Sequence, residues 1–303
     1  MHILLTGGTG FIGTELIKHL TGNQITVLTR SPKNAKSALR HADFSNIDYI
    51  NNLSELTDLN HIDIVINLAG EPIAAKRWTS EQKEKICSSR WNTTEQLVQL
   101  INNSSQPPHC FISGSAVGIY GDKDRHEVYE NAKLTKQGFP FHVCQKWEQL
   151  ALNVQPDSTR VCLLRTGIVL GENGGALQAM LPSFKMGLGG KLGNGKQFMP
   201  WIHLQDAARA IAFLANHSKA HGIFNLCAPH PVSNADFTKA LAKTIKRPAI
   251  FTMPKWLMSM MMGESSILLF DSVRAKPKHL TELGFTFAFS HLEPALKQIF
   301  HAR

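Results

Sequence analysis

Short apolar runs, each closed by glycine or a polar cluster, alternate with amphipathic stretches along the first half of the chain. His2–Thr6 (HILLT) has the length and texture of a buried strand. After it, Phe11, Ile12, Leu16 and Leu20 fall on one helical face. Ile25–Arg30 predicts a second strand, and Asp63–Gly70, rich in β-branched residues, a third. Cys110–Ala116 and Arg160–Leu170 continue the series, with helices predicted over Thr79–Ile101 and from about His142 to Leu152. Apolar strands separated by amphipathic helices imply an α/β fold with a parallel sheet covered on both faces.

The texture changes after Leu170. Met186–Gln197 carries five glycines and reads as a long loop. Asp206–His217 reads as a helix with Asp206 as N-cap, Ile223–Leu226 as a strand, and Ser233–Ile245 as a capped helix. The remainder, through Leu292–Phe300, is mixed and mostly helical. This divides the chain into a cofactor domain over 1–170, with segments around 201–228 returning to it, and a smaller substrate-side lobe over 171–303.

Composition narrows the class. At 303 residues with 18% charged side chains the chain can bury a core without disulfide or metal. Its five cysteines, Cys87, Cys110, Cys144, Cys162 and Cys227, are odd in number and form no CxxC, so they read as buried thiols of a reducing compartment. The net charge of +9 is spread along the chain rather than gathered into a basic run with aromatics, which argues against nucleic acid as partner. No apolar run reaches the ~20 residues of a membrane span and no leader pattern is visible, so a cytoplasmic location is expected. His217 and His221 are spaced i, i+4 but straddle a helix end with no carboxylate nearby, so no metal is expected. Trp256–Met262 (WLMSMMM) reads as flexible core or as a methionine-rich pocket wall.

Chemistry enters at Thr6–Gly13 (TGGTGFIG), between the first strand and the first helix. Gly7 allows the tight turn, Gly10 lets the backbone approach a pyrophosphate, and Gly13 lets helix and strand pack closely. Free N–H groups at the helix start then face phosphate. The second strand ends in Thr29 and Arg30, with Lys33 nearby, where an NAD-selective protein would place a carboxylate. A guanidinium there favours a 2′-phosphate, hence NADP.

With that loop, NLAG (Asn67–Gly70), GSAVGIYGD (Gly114–Asp122), LLRTGIVLG (Leu163–Gly171) and WIHLQDAARA (Trp201–Ala210), the chain resembles the extended short-chain dehydrogenase/reductases, the NAD-dependent epimerase/dehydratase proteins. NLAGEPI, Ser89–Arg90, Val143–Glu148, Gly174–Gly190 and Gly263–Ser266 bring it close to their atypical epimerase family protein subgroup. The resemblance covers essentially the whole chain. It implies a Rossmann-type doubly wound parallel sheet that binds NADP, in which Gly10, Phe11, Ile12 and Gly13 cradle the pyrophosphate and Thr29 and Arg30 hold the 2′-phosphate. It implies too that Leu68 and Ala69, with Gly70 beside them, line the adenosine ribose, and that Arg90 adds a phosphate or ribose contact. The substrate class it suggests is a sugar nucleotide or another small carbonyl compound. Related enzymes often form homodimers through a four-helix face, which this sequence does not show to be apolar.

Extended enzymes carry a Tyr-x-x-x-Lys pair on one helix. YENAK (Tyr129–Lys133) has the spelling, but it lies nine residues after Tyr120 where the family usually leaves about twenty. Gly138 and Pro140 also look like helix breakers just after it. The helix expected to hold the pair, from about Phe141, has no tyrosine. Aligning Glu148 with the family's glutamate puts Cys144 in the lysine place and Pro140 in the tyrosine place. Ser115 sits one residue out of register for the assisting serine, whose strict position falls to Ala116. Ser115, Tyr120 and Glu71 remain as candidates for proton transfer, and His203, Lys191 and Lys196 as further substrate-side groups. Two functions follow: an NADP-dependent oxidoreductase or epimerase with a rearranged acid–base group, or a catalytically inactive NADP-binding sensor or scaffold.

Overall fold

The computed structural model describes residues 1–33, 35, 46–134, 137–155, 157 and 159–301. Seven parallel strands make the central sheet: β1 (His2–Thr6), β2 (Gln24–Leu28), β3 (Ile47–Ile50), β4 (Ile64–Asn67), β5 (Cys110–Ala116), β7 (Arg160–Thr166) and β12 (Gly222–Leu226). Their spatial order is β12-β7-β5-β4-β1-β2-β3, so the order reverses beside β1, the position at which such sheets bind ligands. β3 was not among the expected strands. Its pattern is only half-buried, because it closes the edge of the sheet against β2 alone.

Alternate side chains of the buried strands serve opposite faces. Ile3 and Leu5 join the core under α1 (Phe11–Ile17). Leu4, Val65, Phe111 and Leu163 join the core under α2 (Ser80–Asn103). This two-sided burial is why the strands read as continuous apolar runs. Thr79 caps α2 by accepting the Gln82 N–H. α3 spans Gly138–Ala151, earlier than expected. Gly138 and Pro140 do not stop it. Gly138, at φ +78, turns the chain into the helix, and Pro140 sits in the first turn, where a missing N–H leaves no bond unmade.

The run expected as one strand over Arg160–Leu170 breaks at Gly167. β7 stays in the main sheet, while β8 (Ile168–Gly171) leaves it to pair with β11 (Trp201–His203). A Cβ at Gly167 would stand 2.5 Å from the Pro200 carbonyl oxygen, so the two strands can meet only at a glycine. α4 (Gly175–Lys185) follows, and the expected long loop contains β9 (Gly190–Leu192), which pairs with β14 (Phe251–Met253). α5 (Leu204–Asn216) is capped by the His203 side chain rather than by Asp206. The buried Asp206 carboxylate instead accepts from Arg209 and from the Ala288 and Phe289 N–H groups, tying the C-terminal segment to α5. α6 (Asn234–Thr244) has the expected Ser233 cap.

α7 (Lys255–Met262) is not core: none of its residues is buried, and Trp256, Met260 and Met261 are exposed. Among the described residues the five cysteines are free and buried, no helix is long and apolar enough to cross a membrane, and no three metal-ligating side chains gather.

Candidate cofactor and active site

The turn between β1 and α1 is built as the glycine spacing requires. Gly7 has φ +70, and a Cβ there would lie 2.7 Å from the Leu68 carbonyl. A Cβ at Gly13 would overlap the Gly7 carbonyl oxygen, and one at Gly10 would lie 3.1 Å from that same oxygen. Gly10 is the N-cap of α1 and offers no side-chain cap, so the first amides of the helix stay available to a ligand. Thr29 and Arg30 follow directly on β2 at the same carboxyl edge, and among the described residues no carboxylate pairs with Arg30. The chemistry of this donor set, free amides plus a cation, fits a phosphorylated dinucleotide.

A polar chain steadies the wall of that turn. Thr6 donates to Asn67 Oδ1 (2.6 Å) and accepts the Ala69 N–H (3.1 Å). Asn67 Nδ2 and Trp147 Nε1 both donate to Thr94 Oγ1 (2.8 and 2.9 Å). Leu68 and Ala69 therefore lie fixed beside Gly7. Arg90 lies inside α2 with its guanidinium against Gly70 and over the Trp147 ring. Its Nη1 donates to the Glu71 and Ile86 carbonyls (2.9 and 3.0 Å), and burial holds its pKa below the usual arginine value. That nitrogen supports the loop after β4; Nε and Nη2, at the Gly70 edge, make no hydrogen bond to the described residues.

YENAK is a turn, closed by the Ala132 N–H on the Tyr129 carbonyl (3.0 Å). Tyr129 is exposed and its hydroxyl donates to Glu127 (2.7 Å). Neither Tyr129 nor Lys133 lies on a helix. The helix after them, α3, packs on β5 and α2, with Pro140 and Cys144 buried on it, and burial followed by the nearby Glu148 charge pushes the Cys144 thiol up to about 11.

Ser115 and Tyr120 are brought together, but by a network that sequence reasoning missed. Arg165, 3% exposed, makes two parallel bonds to Glu148 (both 2.9 Å). Ser115 donates to the same carboxylate (2.7 Å). Arg165 Nη1 donates to the Tyr120 hydroxyl (3.0 Å) and to the Glu130 carbonyl (3.2 Å). Tyr120, fully buried, donates to Asn225 (2.7 Å), and burial pushes its phenol up to about 12. Glu130 in turn accepts from the Asn225 N–H. Arg165, following the apolar run of β7, was the available signal, since a buried guanidinium requires a partner. Glu71 differs from both candidates in being only partly buried, with one long contact from Gln82 (3.4 Å). His203 bonds Gln298 (2.8 Å) and packs against Phe289, a structural position.

The strand order and the amide-bearing glycine turn at the switch point define a Rossmann-type dinucleotide-binding protein. The chain belongs to the NAD dependent epimerase/dehydratase family, whose model matches residues 3–227; a domain of unknown function, DUF1731, matches 253–299. It is 36% identical to the epimerase family protein YfhF of Bacillus subtilis over 99% of this chain and 98% of that protein. It is 35% identical to the chloroplastic SDR39U1 homolog of Arabidopsis thaliana, over 99% and 86%. The crystal structure of human epimerase family protein SDR39U1 with NADPH superposes with a TM-score of 0.89 at 31% identity, covering 99% of both chains.

Proposed function

We propose that this protein binds NADP(H) and serves as an oxidoreductase or epimerase on a small carbonyl or hydroxyl compound. The observation that carries the reading is the uncapped glycine turn with Arg30, and no described carboxylate, at the end of β2. The NADPH of the human relative supports it. Gly10, Phe11, Ile12 and Gly13 would offer amides to the pyrophosphate, Thr29 and Arg30 would hold the 2′-phosphate, and Leu68, Ala69, Gly70 and Arg90 would border the ribose. The nicotinamide, when bound, supplies a hydride donor or acceptor. The matching proton must come from the protein. Ser115 and Tyr120 are committed to the Glu148–Arg165 network, so we assign proton handling to Glu71. A Corynebacterium glutamicum relative of known structure, 27% identical, is named a nucleoside-diphosphate sugar epimerase, which makes sugar nucleotides the first substrates to try.

Pro140 and Cys144 at the positions of the usual tyrosine and lysine favour a second reading, a nucleotide sensor without turnover. Turnover of carbonyl compounds by the unmodified protein with NADPH separates these readings, and two variants test the residue assignments. Arg30→Ala should weaken NADPH binding by ~10- to 100-fold, the worth of a charge-assisted contact of ~1.5–3 kcal/mol, and leave NADH binding nearly unchanged. Glu71→Gln should abolish turnover on an accepted carbonyl compound while NADPH affinity is kept. NADH preference in the unmodified protein would overturn the cofactor assignment, and full turnover by Glu71→Gln would overturn the assignment of the proton.

A further inference from the structure

Phe11 is the first residue of α1, so its N–H belongs to the turn that the dinucleotide-binding reading assigns to pyrophosphate. Its ring is held in a collar of three glycines from the junction of β8 and α4. A Cβ built on Gly174 would stand 2.5 Å from Cδ2 and 2.9 Å from Cγ of that ring. One on Gly171 would stand 2.8 Å from Cζ, and one on Gly175 3.0 Å from Cε1. The glycines thus line the tip and both edges of the ring, which is partly buried. Gly171 bridges Gly174, and Leu170 bridges Gly175, so β8 folds straight back into α4 around the ring.

The three glycines are not equivalent. Gly175 has φ +64, a conformation that favours glycine whatever surrounds it. Gly174 has φ 179, extended backbone open to any residue, so only the space taken by Phe11 excludes a side chain there. α4 has no side-chain cap at its start, and its far end leads to β9. The contact therefore joins the amide-bearing turn to an element of the second lobe.

We infer that Phe11 is a positioning residue that locks the pyrophosphate turn to the start of α4, so that nucleotide occupancy and the seating of α4 are coupled. The inference rests on the dinucleotide-binding reading above. Coupling of this kind is reciprocal: what steadies the turn steadies α4, and what displaces α4 weakens the nucleotide.

The test uses the full chain with NADPH as ligand. Gly174→Ala forces the ring from its collar and should weaken NADPH binding by ~10-fold, within the range of ordinary site–site coupling. Phe11→Ala alone should cost a similar factor. In the double variant the methyl meets no ring, so its affinity should stay within ~3-fold of Phe11→Ala rather than falling a further ~10-fold, as independent effects would require. Hydrogen exchange supplies a readout that packing alone would not move: NADPH should slow exchange across residues 175–192 in the unmodified protein and not in Phe11→Ala. If Gly174→Ala does not fold, Phe11→Leu carries the same exchange comparison, with protection expected to be reduced. Failure of the unmodified protein to bind any nicotinamide dinucleotide would sink the underlying reading. NADPH binding with no change in exchange over 175–192, or with multiplicative losses in the double variant, would overturn the coupling alone.

Discussion

Replacing Arg165 with methionine should lower the stability of the whole protein while sparing the cofactor turn. The guanidinium is 3% exposed and donates to both oxygens of Glu148, to the Tyr120 hydroxyl and to the Glu130 carbonyl. Burial alone would lower its pKa; the hydrogen bonds and charge of Glu148 outweigh burial and raise it, so it is a fixed charge at any working pH. Methionine would fill part of the volume but leave the Glu148 carboxylate buried with Ser115 as its remaining donor. Breaking a buried pair from one side destabilises by ~3–5 kcal/mol. At about 2 °C per kcal/mol, the upper end of the size range, the melting temperature should fall by ~6–10 °C. Adding Glu148→Leu removes the stranded charge, and the double variant should melt within ~4 °C of the unmodified protein, because well-packed apolar replacements of such pairs are often neutral. Thermal unfolding followed by circular dichroism without nucleotide would measure all three. A fall under ~2 °C for the single variant, or a double variant less stable than the single, would refute the network as a structural element.

Two further outcomes are expected. Asp271 is held at about 6, first by burial and then by the charge of Asp122. A carboxyl raised above its unfolded value disfavours folding once ionised, so the cost is absent at low pH, builds from about 4 to about 6 and is full above. Asp271→Asn should therefore add stability at pH 7, by at most ~2 kcal/mol after discounting for the solvent-exposed part of the group, and add less at pH 4.5. Urea denaturation at both pH values checks this, and an equal gain at both would count against it. Tyr129→Phe should bind NADPH within ~2-fold of the unmodified protein, since its exposed hydroxyl bonds Glu127; a tenfold loss in a fluorescence titration would return YENAK to the site.

The glycine turn was legible because its requirements are local: Gly7, Gly10 and Gly13 answer to backbone geometry within a few residues. The buried strands were legible because two-sided burial writes itself as unbroken apolar sequence. β3 was not, since an edge strand with half-exposed residues lacks that signature. Gly167 hid the break between β7 and β8, because apolar residues continue on both sides and only the approach of Pro200 requires the split. Pro140 misled for a related reason: proline ends a helix from inside but suits its first turn, and sequence alone did not say which applied. The pairing of Glu148 with Arg165, and its capture of Ser115 and Tyr120, depends on α3 crossing β5 and β7, which no sequence period encodes.

The return of β12 to the main sheet bears on biosynthesis. Until β12 joins, β7 is the edge of a six-stranded sheet, and its partner arrives only after β8, α4, β9, β11 and α5 have been made. A chain emerging from the ribosome must hold that apolar edge open until residue 226 has cleared the exit tunnel. Open edges of this kind are templates for pairing with other chains. The late strand also supplies Asn225, the acceptor for Tyr120, so closing the edge and completing the buried polar network become a single event. Synthesis halted between β7 and β12 should thus yield the species of this protein most in need of a chaperone.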